Sequence, residues 1–195
     1  MIQIHSSNHQ VEKLTQIVQK HKAIYEFLVG VQELKITNYY IGAGCITQTV
    51  WNYLSNMPLE HGIKDVDFVY FDESDLSEEK EDRLKVQLES FFPDYPYKID
   101  VTNEARVYLW YKSQFGYEIE PYHSVEDAID TWPTTATSFG IRITSNKWNV
   151  YAPFGLDDVF NKVVRPNKRQ ITKEIYDMKV NRWKALWNDL SIEQW

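Results

Sequence analysis

Tyr39 to Asp72 reads YYIGAGCITQTVWNYLSNMPLEHGIKDVDFVYFD, the stretch around which the rest of the chain is organised. Tyr39 to Ile41 has the character of a short strand, Gly42-Ala43-Gly44 of a tight turn, and Ile46 to about Leu54 of a helix. A loop then leads to a second strand carrying Asp65 and Asp67. Side chains alternate across a strand, so these carboxylates share a face and lie a few ångströms apart. Two like charges so close cost energy unless a cation or an arginine sits between them. Val66 and Phe68 to Phe71 supply the apolar bulk that anchors them. The pattern predicts a divalent-metal site facing a glycine turn, with Gly42 and Gly44 letting backbone amides approach phosphates at a helix start.

Rival motifs fail on their own residues. A dinucleotide fingerprint needs glycine at position 47, where Thr47 stands, and no Gly-Lys-Thr/Ser follows as a P-loop requires. An EF-hand is excluded because Phe68 to Phe71 occupy positions that need oxygen ligands and a glycine. Plainer readings stay open: a mere tight corner for the glycines, and a strand-edge acid pair capped by Lys64 or a helix amide. Favouring the metal is a third carboxylate, Asp100, in the predicted strand Tyr97 to Val101. Three acids on two neighbouring strands can hold two Mg²⁺ (or Mn²⁺) ions roughly 3.5–4 Å apart, a geometry that activates an attacking oxygen and neutralises a leaving pyrophosphate.

Upstream, Val11, Leu14, Ile17, Val18, Ile24, Tyr25 and Leu28 keep helical spacing, with Asn8 as N-cap, a possible break at His21-Lys22 and a stop at Gly30. Downstream, an acidic helix runs from about Glu73 to Phe92 with Leu76, Leu84, Leu88 and Phe91 inward. Glu104 to Phe115 reads as a helix, and Ser124 to Asp127 has capping-box spacing. Thr137 to Thr144 and Trp148 to Tyr151 form a hairpin about Ser145-Asn146. Phe154 to Phe160 is a short helix, and a last helix spans about 173–190. The fold class is α+β: a small mixed β-sheet flanked by helices, with residues 1–195 as a single domain on which the helical segment 8–30 and the last helix pack.

Composition narrows the partners. An apolar fraction of 43% with 15% aromatic residues supports a real core, and excludes disorder. A formal net charge of −7 disfavours an extended nucleic-acid surface. The single cysteine, Cys45, rules out an internal disulfide and suits a reducing cytoplasm. No leader and no apolar run of about 18 residues is seen, so neither export nor a membrane span is expected.

Glycine turn, helix, Asp-x-Asp and a later strand acid form the active-site order of the DNA-polymerase-β-like nucleotidyltransferase superfamily, which the chain resembles. Gly42-Ala-Gly44 through Asp65-Val-Asp67 resembles the CCA-adding type of that motif. The chain is also similar to a bacterial family of nucleotidyltransferase-like proteins, from about Tyr39 to Arg169. That likeness runs through Val101-Thr-Asn-Glu-Ala-Arg106, Leu109-Trp-Tyr111, Glu126-Asp-Ala128, Thr131-Trp-Pro-Thr-Thr-Ala-Thr137 and Ala152-Pro-Phe-Gly-Leu-Asp-Asp158. The resemblance implies Asp65 and Asp67 as metal ligands, Asp100 as the third carboxylate, and Gly42 and Gly44 as phosphate-loop positions. It implies transfer of a nucleoside monophosphate from an NTP to an acceptor hydroxyl, the acceptor being a small molecule, RNA or protein. The turn departs from the family pattern: Ala43 and Cys45 replace a hydroxyl that touches phosphate, leaving Thr47 to supply one. The departure favours a rival reading, a nucleotide- or protein-binding module of the same fold without chemistry. A toxin–antitoxin partner is a further rival, with the acidic helix 75–90 as its surface.

Other residues carry two readings each. The hydroxyl-rich Thr131 to Thr137 loop lines a ribose or acceptor pocket, or caps adjoining elements. Arg106 faces the third acid or a triphosphate, or pairs with Glu104 or Asp100. Lys162, Arg165, Lys168 and Arg169 read as a solvated surface rather than a triphosphate clamp. His5 and His9 lack a third zinc ligand, His61 is a loop histidine, and Cys45 lacks a neighbouring histidine to make it a nucleophile. Tyr176, Trp183 and Trp187 repeat at helical spacing as core or interface.

Overall fold

The structure, a computed structural model, describes residues 8–42 and 44–195. Five strands form the central sheet: β1 (Tyr39–Gly42), β2 (Asp65–Tyr70), β3 (Lys98–Asn103), β4 (Gly140–Thr144) and β5 (Lys147–Tyr151). Their order is β3-β2-β1-β4-β5, with β2 and β3 parallel and every other pair antiparallel. A parallel pair needs a crossover, and the acidic helix α4 (Glu78–Phe91) provides it between β2 and β3. The hairpin β4–β5 turns at Ser145 and Asn146, both at positive φ (50° and 61°), the conformation that matches strand twist in a two-residue loop.

One face of the sheet carries the main core. Tyr39, Ile41, Val66, Phe68, Tyr70, Ile99 and Val101 point to α1 (Asn8–Lys20), α2 (Lys22–Gly30) and α3 (Gly44–Leu54). The break between α1 and α2 falls where the apolar stripe lapses: His21 leaves the helical region (φ −85°, ψ 92°), and its Nδ1 accepts from the Ile24 amide at 3.4 Å. Its Nε2 lies 3.1 Å from the Tyr97 hydroxyl, which ties the break to the start of β3.

Two expectations for α4 change. It begins at Glu78, because Asp72 and Asp75 accept bonds from the Ser74 and Ser77 amides (2.9 and 3.0 Å) and hold a non-helical lead-in. Phe91 is exposed; its neighbour Phe92 goes inward, 4.7 Å from the Phe27 ring centre. A 3₁₀ turn at Glu104–Arg106 leads into α5 (Val107–Phe115), and α6 (Val125–Ile129) starts as the capping-box spacing predicts, with Ser124 Oγ accepting from the Asp127 amide at 3.0 Å. Its carboxylate reaches back one residue further, to the His123 amide.

After α7 (Asp157–Phe160), the chain makes a short parallel pair of β6 (Val163–Val164) and β7 (Ser191–Ile192), which sequence periodicity did not show. Between them α8 (Lys173–Lys184) is shorter than expected. Trp183 and Trp187 pack edge-on against Trp51 of α3, at 5.6 and 5.5 Å between centres. The Trp187 indole donates to Asn52 Oδ1 at 2.8 Å, and Asn52 in turn donates to the Leu59 and His61 carbonyls. This knot pins α8 beside the foot of α3. Among the described residues, no helix is long and apolar enough to cross a membrane.

Candidate active site

The other face of the sheet is only partly covered. Tyr40 and Val69 pack there with Val125, Ile129 and Trp132, while Asp65, Asp67, Asp100 and Thr102 are half-buried and face a cleft or its rim. Alternation along β2 put Asp65 and Asp67 together, as expected. Pairing sets the third acid: Asp67 lies in register with Asp100 on β3 and with Gly42 on β1. Register partners on one sheet share a face, so the three carboxylates belong to one surface. The cleft has a volume of about 430 Å³ and runs from Gly44 and Gln48 on α3, over Asp65 and Asp67, to Glu104 and α5. Its far wall is α8, whose Tyr176, Val180 and Trp183 are buried in the core. One helical step round, Lys179 and Arg182 face the cleft.

The electrostatics follow from that placement. Asp67 is pushed up to about 7, first by burial and then by the charge of Asp65; Lys179 and Arg182 oppose the rise, while Asp100 adds to it. Lys179 is itself depressed, mainly by burial and then by Arg182, with Asp67 and Asp65 pulling the other way. Neither cation makes an ion pair among the described residues. Asp100, by contrast, is paired with Lys98 two residues earlier on the same face. Among the described residues no three His, Cys, Asp or Glu side chains converge into a closed metal cage. The donors nevertheless suit Mg²⁺ in kind, since that ion takes hard oxygens and is usually held by one or two carboxylates together with water and substrate phosphates.

The glycine turn is more differentiated than its sequence. Gly44 opens α3 at the cleft, and a side chain there would meet only the flexible end of Gln48 at 2.7 Å. Gly42 lies under the Trp132 ring: a Cβ would stand 2.5 Å from it and 3.2 Å from the Phe139 carbonyl, so its bareness admits that ring. Ala43 lies outside the described residues, as does His5. Thr47 corrects an expectation. It is wholly buried and its hydroxyl donates to the Ala136 carbonyl at 2.8 Å, because it falls on the core face of α3. Gln48, one position on, lines the cleft instead; it is 6% exposed and, among the described residues, its Oε1 has no hydrogen-bond partner.

The remaining readings separate cleanly. Arg106 pairs with Glu81 (2.9 Å) and donates to the Leu76 carbonyl, away from both Glu104 and Asp100. Lys162, Arg165 and Arg169 pair with Asp189, Asp158 and Asp130, and Lys168 sits over the Trp195 ring. The Thr131 to Thr137 loop does both: Thr131, Trp132, Pro133 and Thr137 line the cleft, while Thr131 donates to Ala128, Thr134 and Thr137 meet at 2.8 Å, and Thr135 donates to Asp158. His61 lies against Trp187, and the buried Cys45 thiol is pushed up by burial. Sequence reading missed Gln48, Glu104, Lys179 and Arg182 as cleft residues. For the last two a signal existed, since they occupy the stripe adjacent to Tyr176, Val180 and Trp183; nothing in the sequence says which element that stripe faces.

The chain matches the profile of a family described as Nucleotidyltransferase over residues 30–192, and it belongs to that family. Among solved structures it is similar to one described by the words "The NMR structure of the protein reveals a CCA-adding enzyme head domain". The TM-score is 0.75 at 24% identity, covering 93% of this chain and 96% of that one. A likeness at that identity speaks for the fold. No curated protein matches the chain. Family and fold together make this a nucleotidyltransferase-type protein, with a mixed sheet and flanking helices as expected from its sequence.

Proposed function

We propose that the whole chain is one nucleotidyltransferase domain that moves a nucleoside monophosphate from an NTP to an acceptor hydroxyl and releases pyrophosphate. One observation carries the reading: Asp65, Asp67 and Asp100 share one face near the start of α3, with Lys179 and Arg182 across the cleft and, among the described residues, in no ion pair. Asp65 and Asp67 hold Mg²⁺ or Mn²⁺, and Asp100 completes the donor set. When bound, the metal supplies charge neutralisation at the pyrophosphate and acidifies the acceptor hydroxyl.

The protein's own groups do the rest. Amides at the start of α3 and the Gln48 side chain orient the phosphates, and Lys179 and Arg182 counter their charge. The acceptor oxygen forms its bond to the α-phosphorus as the bond from that phosphorus to the pyrophosphate oxygen breaks, and the leaving group takes the electron pair. The hydroxyl proton passes to a carboxylate oxygen of Asp100, which faces the same surface as Asp67. Trp132 and Trp183 line the cleft, and their ring surface limits water there.

The Lys98–Asp100 pair favours a second reading, a nucleotide-binding module without turnover, since the lysine occupies the acid that catalysis needs. Titration with Mg²⁺ or Mn²⁺ and each NTP, followed by backbone amide shifts, tests both. Metal-dependent shifts at Gly44 to Gln48, Asp65 to Asp67 and Asp100, with slow release of pyrophosphate to water as acceptor, support transfer. Shifts with no release at any metal concentration leave the binding module. No shift at millimolar nucleotide removes both.

A further inference from the structure

Beyond Val69 and Thr102 the cleft changes character. Its floor there is Glu104, and its walls are the rings of Trp110, Tyr111, Tyr122 and Trp132. Glu104 is 5% exposed, and among the described residues it has no hydrogen-bond donor and no ion-pair partner. The charged groups that act on it, Asp67 and Glu81, are both acids. Arg106, two residues away, is turned to Glu81 and the Leu76 carbonyl. The tyrosine hydroxyls are engaged as well: Tyr111 with Tyr117 at 3.2 Å, and Tyr122 with Thr131 and Gln170 at 2.9 and 3.0 Å. This end of the cleft therefore offers a ligand the Glu104 carboxyl and much ring surface, with the Gln114 and Gln170 amides among its other polar side chains.

A carboxyl so nearly withdrawn from water, its oxygens open to the cleft, is solvated less well than an exposed one, and a cation entering the cleft restores what burial removes. Burial holds this carboxyl up, at about 8, with the charges of Asp67 and Glu81 adding to the rise. Aromatic rings around a carboxyl form a setting that favours a positively charged ligand over a neutral one, through the ring quadrupoles and a charge-assisted hydrogen bond.

We propose that this end of the cleft is the acceptor subsite, and that it takes a small molecule bearing an ammonium group, paired by Glu104 and enclosed by Trp110, Tyr111, Tyr122 and Trp132. Its role as acceptor subsite rests on the transfer reading above; its preference for a cation does not.

The test uses the full chain near pH 8, titrated with benzylamine hydrochloride and separately with benzyl alcohol, its neutral counterpart. Amide and indole resonances are followed by NMR. The ammonium compound is expected to bind about tenfold more tightly, as a desolvated cation–ring contact with a charged hydrogen bond implies. Shifts should centre on the Glu104 amide and the Trp110 and Trp132 indoles. Glu104→Gln should erase the preference while leaving the alcohol's weak binding, and Trp110→Ala should weaken both probes. Equal affinities in the unmodified protein overturn the proposal, as does a preference that survives Glu104→Gln. Adenosine shifting the same resonances more strongly than benzylamine also overturns it, making this a nucleobase pocket. A parallel titration with Mg²⁺ and ATP separates the two claims. Nucleotide shifts at Gly44 to Gln48 without ammonium preference remove only this inference; ammonium preference without nucleotide shifts removes the transfer reading and leaves a cation site.

Discussion

Glu104→Gln should make the folded protein more stable at neutral pH, although it alters a residue inside the candidate site. The folded-state carboxyl sits at about 8, against an ordinary value of 4.5, because it is buried and faces Asp67 and Glu81. Between those values the unfolded chain has released the proton and the folded chain has kept it. The folded state then binds more protons, so its stability falls as pH rises, by about 1.4 kcal/mol per pH unit. From 4.5 to pH 7 the loss is on the order of 3 kcal/mol, and it levels off above about 8. Glutamine cannot ionise, so it removes this slope; its amide still lacks partners, which reduces the net gain to about 1–3 kcal/mol. For a chain of this size each kcal/mol moves Tm by about 2–4 °C. Thermal and urea melts of both proteins from pH 5 to pH 8.5 read the difference, which also subtracts the parallel slope from Asp67. The expected result is near-equal stability at the acid end and a variant advantage that grows towards pH 8. A variant less stable than its parent at pH 8, or a difference constant across the range, refutes the reasoning, because Glu104 would then be a paired carboxylate.

Asp67→Asn should abolish metal-dependent amide shifts and any turnover without lowering Tm at pH 8, since the carboxyl it replaces is pushed up to about 7 by burial and Asp65; full activity would sink the assignment. In the unmodified protein, Mn²⁺ affinity measured by calorimetry should rise from pH 6 to pH 8, because the Asp67 proton competes with the ion until it leaves near 7. Lys179→Ala should weaken nucleotide binding about tenfold, the order expected for one partly desolvated charge-assisted contact, while leaving the melt unchanged; unchanged nucleotide affinity would show that α8 does not face the phosphates. Gly42→Ala should cost about 1–3 kcal/mol through overpacking against Trp132, read by urea melts together with a shifted Trp132 indole resonance. Trp187→Phe should cost about 1–3 kcal/mol by leaving Asn52 Oδ1 without its donor; a neutral result would mean that the knot does not hold α8.

Much of the fold was legible because local rules agree with the tertiary outcome. The two-residue period of Asp65-Val-Asp67 placed both acids on one face whatever the neighbouring strands did. The stripe from Val11 to Leu28, its lapse at His21, and the Ser145-Asn146 turn likewise depend on backbone geometry within a few residues. Asp72 and Asp75 show the limit of such reading: both helix-start and turn chemistry suit them, and the turns formed by Ser74 and Ser77 won. Thr47 and Gln48 show another limit, since adjacent positions on α3 differ only in which side of the helix meets the core, and one is sealed while the other lines the cleft.

Sequence alone determined the strand–turn–helix–strand unit, the shared face of Asp65 and Asp67, and the α+β class, because each rests on periodicity and turn chemistry close along the chain. Tertiary structure decided what completes the site. The parallel register of β2 and β3 set Asp100 beside Asp67, and the Trp51–Trp183–Trp187 knot swung Lys179 and Arg182 across from them. Folding also left Glu104 buried with no counter-charge among the described residues. These placements depend on which faces meet between distant parts of the chain, Asp67 with Asp100 across about thirty residues and Asn52 with Trp187 across more than a hundred, and no local pattern encodes that meeting.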